Sequence, residues 1–68
     1  MSLYLVIVKH VAGRRHNLPY SWKPLSGDRL VLMSDSADHW FDSLRTNPYV
    51  IEATLTDLET GEKKHWRS

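Results

Sequence analysis

Apolar residues come in three rhythms along this chain, and each predicts an element. Leu3-Tyr4-Leu5-Val6-Ile7-Val8 is a run rich in β-branched and aromatic residues, with apolar side chains at both alternating positions. Such a run reads as a strand covered on both faces, either central in a sheet or buried by a second subunit. Lys9, His10 and Val11 can extend it. A polar loop follows over Gly13-Arg14-Arg15-His16-Asn17, with Gly13 as the turn residue. Pro19 and Pro24 then bracket Tyr20-Ser21-Trp22-Lys23. Two prolines that close exclude a helix and leave an edge strand or an extended loop. After a turn at Ser26-Gly27-Asp28, Arg29 to Met33 reads as a second strand. Val31 lies on one face of it, and Leu30 and Leu32 on the other.

The rhythm changes over Ser34 to Asn47. Ala37, Trp40, Phe41 and Leu44 recur at i, i+3, i+4 and i+7, the apolar stripe of a helix. Ser34 or Asp35 is placed to cap its first turn. Asp35 and Asp38 sit where the helix dipole favours negative charge, and Arg45 where it favours positive charge. Asn47-Pro48 ends the helix, because a residue before proline avoids the helical region. Tyr49 to Thr56 then alternates, with Tyr49, Ile51, Ala53 and Leu55 set against Val50, Glu52, Thr54 and Thr56. That is a strand with one buried and one wet face. Gly61 supplies the positive φ of a hairpin loop, and Lys63 to Arg67 returns as the partner strand.

The expected fold class is therefore α+β. A mainly antiparallel sheet of three to five strands carries one helix on one face, in the order β-β-α-β-β. Residues 1–68 form a single small domain. Ala37, Trp40, Phe41 and Leu44 of the helix are expected to meet Leu5, Ile7, Leu30, Leu32, Ile51 and Leu55 of the strands. One helix covers one face, so a second copy is a candidate cover for the other, giving a homodimer.

Composition narrows the function classes. Hydrophobic residues make up 41% and charged residues 25%, which fits a globular domain and not a disordered chain. With no cysteine, neither a disulfide nor a cysteine-based zinc site can reinforce a core whose net contribution at this size is about 3–5 kcal/mol. The six-residue apolar run Leu3 to Val8 is far short of a membrane span and of an export-signal core, so the expected compartment is the cytoplasm, away from membranes.

A net charge of +1 conceals a strong partition. Residues 1–24 hold Lys9, Arg14, Arg15 and Lys23 and no acid; residues 25–62 hold all eight acids with only Arg29 and Arg45; residues 63–68 hold Lys63, Lys64 and Arg67. Block asymmetry of this kind points to an interaction surface, although solvated loops and a lysine-guarded edge strand also produce it. The candidate partner-binding set is Arg14, Arg15, Tyr20, Trp22, Lys23, Lys63, Lys64, Trp66 and Arg67. It requires the two basic ends to meet and Trp22 and Trp66 to be exposed. If the tryptophans instead tuck over the edge of the core, the anchors are lost.

Candidate chemistry is sparse. His10, His16, His39 and His65 show no paired metal spacing, and Asp35, Asp38, His39 and Asp42 form an ordinary solvated helix face. No nucleophile elbow, P-loop, dinucleotide fingerprint or EF-hand occurs. The expectation is no catalytic residue, no metal, no cofactor and no enzyme activity. Trp, Tyr and Arg dominate protein hot spots, which favours a protein-binding module. Its size and charge suit an accessory or inhibitor protein of the kind that mobile genetic elements and phages encode. The alternative is a small nucleic-acid-binding domain using the same basic and aromatic ends. Against it stand a pI of about 8.1 and an acidic outer helix face.

Overall fold

A computed structural model of the chain describes residues 3–14 and 22–68. Five strands form one antiparallel sheet: β1 (Tyr4–His10), β2 (Lys23–Leu25), β3 (Arg29–Ser34), β4 (Val50–Asp57) and β5 (Lys63–Arg67). Their spatial order is β2-β3-β1-β4-β5. Among the described residues one α-helix, α1 (Ala37–Ser43), follows β3 and continues into a 3-10 turn over Leu44–Thr46. The α+β class and the helix on one face are as expected. The one added element is β2, which straddles Pro24 at the sheet edge, where a missing N–H costs no ladder bond. Tyr20 and Ser21 lie outside the described residues.

Register assigns every strand residue to a face. Val8 pairs with Leu30 on one side and Ala53 on the other, and Ala53 pairs with Trp66. Val6 pairs with Leu32 and Leu55. These residues look toward α1, which lies over β1 and β4. With Trp22, Ala37, Phe41, Leu44 and Val50 they form the core. No helix among the described residues is long and apolar enough to cross a membrane.

Four expectations need correction. β1 is central, as its two-sided apolar pattern predicted, but Val6 and Val8 fill the core and Leu5 and Ile7 lie half-buried on the opposite face. An all-apolar run does not reveal which parity faces the helix; the register does. In β4, Val50 replaces Ile51 in the core, because the pairing with β1 shifts between Lys9 and His10 and opens a β-bulge. In α1, Ala37, Phe41 and Leu44 are buried but Trp40 is 41% exposed. At 100° per residue the first three fall within about 60° of one another, and Trp40 lies about 40° outside that arc. Finally, the helix begins at Ala37. Neither Ser34 nor Asp35 caps it; the Ser36 amide donates to Ser34 Oγ, and Asp38 Oδ1 accepts from the His39 amide. Its end is as expected, with Asn47 extended before Pro48.

Candidate functional site: the open face of the sheet

The same pairing that builds the core lays out the opposite face as a grid. One row runs Leu25, Arg29, Lys9, Glu52, Arg67 across all five strands. The next runs Lys23, Val31, Ile7, Thr54, His65, and the third Met33, Leu5, Thr56, Lys63. No described element crosses this face, and Met33 remains 60% exposed. A shallow open groove lies between Leu5, Ile7, Lys9, Arg29, Glu52 and Lys63. A second, bounded by Leu5, Lys23, Val31 and Met33, continues it toward β2.

Charge is distributed unevenly over the grid. Lys9, Lys23, Arg29, Lys63 and Arg67 surround an aliphatic centre of Leu5, Ile7 and Val31, and Glu52 is the one carboxylate among the grid residues. Glu52 sits between Lys9 and Arg67 along its row, and its Oε2 is 3.5 Å from Nε2 of the exposed His65. Five cations thus stand around one partly offset acid. Apolar side chains in the middle remove water from a docking partner, and the charged rim steers it and sets its sign.

The sequence-derived site divides on this geometry. Lys23, Lys63 and Arg67 share the open face, but Lys23 lies on edge strand β2 and Lys63 and Arg67 on the opposite edge strand β5, with three strands between, so the two basic ends flank the face and do not meet. Lys64 points the other way, beside Tyr4, Asp38, Asp57 and Glu62. The guanidinium of Arg14 stacks over the Tyr49 ring at 5.4 Å. Arg15 and Tyr20 lie outside the described residues. Trp22 and Trp66 are only 3% and 7% exposed and are not available as anchors. Trp66 Nε1–H donates to the Phe41 carbonyl at 3.0 Å, its ring meets Phe41 at 6.3 Å, and Arg45 covers it at 5.7 Å. The indole is the peg that holds β5 and α1 together. Trp22 closes the β2 end, with no hydrogen-bond partner for its Nε1 among the described residues.

Sequence reasoning missed Arg29, Lys9 as its neighbour, and the aliphatic centre. Arg29 was counted with the acidic block because it lies among acids in sequence. The parity signal was nonetheless present, since Arg29 is two residues from Val31 and Lys9 is two from Ile7. Among the described Trp, Tyr and Phe residues the exposed one is Trp40, which with Leu44, Pro48 and Tyr49 lines a cleft of about 430 Å³ beside the helix end. Among the described residues no group of three His, Cys, Asp or Glu side chains is placed to hold a metal ion. Compared with known proteins, the chain matches no family model, no curated protein and no solved structure.

Proposed function

We propose that this chain is a non-enzymatic protein-binding module whose open sheet face takes an acidic, partly apolar surface of another protein. One observation carries the reading: five cations ring an aliphatic centre that no described element covers, on a single sheet face. The aliphatic centre supports a protein partner, because it gains free energy by meeting other apolar side chains. The cations support an acidic one. The same cations also favour a second reading, a nucleic-acid-binding face. Among the described residues, however, the grid carries no Trp, Tyr or Phe on which a base could stack.

Two defined probes separate these readings. The first is a helical peptide with Asp and Glu along one side and Leu and Trp along the other. The second is a single-stranded oligonucleotide. The peptide is expected to bind at low salt, and Ile7→Glu and Lys9→Glu are each expected to weaken it at least about tenfold. A peptide of glutamates alone is expected to bind far more weakly. Oligonucleotide binding tighter than peptide binding, with a steep salt slope, would transfer the assignment to nucleic acid. Failure of both probes to bind would overturn the face as a docking site.

A further inference from the structure

We infer that a second copy of this chain can occupy the open face, docking head to tail through the outer surface of α1. The inference rests on the open-face reading and names one occupant for it. It is carried by two surfaces of the molecule that match in both charge and layout.

The receiving face is divided into two halves. One edge row holds Lys9, Arg29 and Arg67 with Glu52 between Lys9 and Arg67, and the half beside it holds Leu5, Ile7, Val31 and Met33 with Lys23 and Lys63 at its two edges. Rows two residues apart along a strand are separated by about 7 Å, so the two halves are centred about 10 Å apart. The exposed surface of α1 is divided in the same way. At 100° per residue, Asp38 and Asp42 share one flank with Asp35, which precedes the helix, and Trp40 lies on the other flank. His39 stands between them and meets the Trp40 ring edge-on at 6.4 Å. A helix is about 10–12 Å across with its side chains, so its two flanks have the spacing of the two halves of the sheet face. Laid with His39 down, α1 sets Asp35 and Asp42 over the cationic row and leaves Trp40 at the side of the contact, next to the aliphatic half.

Charge decides between this arrangement and a sheet-to-sheet pair. Two open faces brought together oppose ten cations with two carboxylates, whereas a helix on a sheet opposes unlike charges. The chain as a whole carries only +1, so copies do not repel strongly at a distance. Because the two surfaces differ, the contact does not close on itself as a symmetric dimer, and each bound copy still offers one free helix and one free sheet face. A five-strand face about 19 Å wide is at the low end of specific interfaces, so the contact is reversible and shows itself at high concentration.

Sedimentation at low salt, with concentrations up to about 1–2 mM, tests this against two blocked forms. Ile7→Glu with Lys9→Gln blocks the sheet face. Asp38→Asn with Trp40→Ala and Asp42→Asn blocks the helix. The native chain is expected to grow past dimer with concentration and to revert to monomer as salt rises. Each blocked form is expected to stay monomeric, and an equimolar mixture to form a 1:1 pair that grows no further, since one intact face of each kind remains. A native chain that stays monomeric overturns the inference, and so does a helix-blocked form that still dimerises, which would show sheet-to-sheet pairing. If the sheet-blocked form does not fold, Lys9→Gln with Arg67→Gln replaces it, with an expected tenfold or greater loss of association. The acidic peptide above, tested on the helix-blocked form, keeps the two ideas apart. Peptide binding without self-association removes only the head-to-tail contact, whereas loss of both removes the open-face reading.

Discussion

The two faces of this sheet are built from the same strands and read almost alike in sequence, yet they do different work. On the helix side, Val6, Val8, Leu30, Ala53, Leu55 and Trp66 are closed over by Phe41 and Leu44 and hold the fold. On the other side, Leu5, Ile7, Val31 and Met33 have the same chemistry but no cover among the described residues, and cations stand around them. The difference lies in what lies above each face, not in residue type. An aliphatic side chain in β1 therefore stabilises the domain or is left for a partner according to whether its number is even or odd.

Substitutions that treat the two faces alike should break this symmetry of sequence. The largest effect is expected for Trp66→Ala. Removing a buried tryptophan costs about 3–5 kcal/mol, comparable to the whole stability expected at this size, so circular dichroism should show an unfolded chain at room temperature. Trp66→Phe keeps a ring but leaves the Phe41 carbonyl without its indole donor, and a loss of about 1–3 kcal/mol in denaturant unfolding is expected.

A neighbouring pair in β1 sharpens the contrast. Val8→Thr places a hydroxyl in the core and should cost about 1–3 kcal/mol. Ile7→Thr keeps the β-branched shape on the open face and should cost less than about 1 kcal/mol. Equal losses at the two positions would mean that the open face is covered after all. Trp40→Ala should lower stability by less than about 1 kcal/mol, well under Phe41→Ala one residue later. The smallest effect is expected for Lys9→Gln with Arg67→Gln, within about 0.5 kcal/mol of the native chain by thermal unfolding.

Local signals carried most of the fold. The helix stop at Asn47-Pro48, the hairpin at Gly61 with its φ of 77° and the turn at Ser26-Gly27-Asp28 all depend on residues close in sequence, and all are where the pattern places them. What could not be read there depends on pairing between distant strands. In an unbroken apolar run either parity can face the helix, so Leu5 and Ile7 were indistinguishable from Val6 and Val8 until β3 and β4 fixed the register. The tryptophans were misjudged for a related reason. Proline neighbours made Trp22 look peripheral and lysine neighbours made Trp66 look wet, but a small core needs large side chains to seal its ends. Charge blocks marked Lys23, Lys63 and Arg67, which share the open face from its two opposite edges and do not meet. The blocks could not bring in Arg29, which reaches the same face by pairing with Lys9.

The bulge opposite Lys9 and His10 gives β4 one residue more than its neighbour needs. Deleting Ile51 would restore a regular ladder and leave Val50, Ala53 and Leu55 all pointing inward, whereas losing any single residue between Glu52 and Leu55 would turn part of the strand inside out. Position 51 is therefore the place in this strand where a shortened version of the chain, natural or engineered, should still fold.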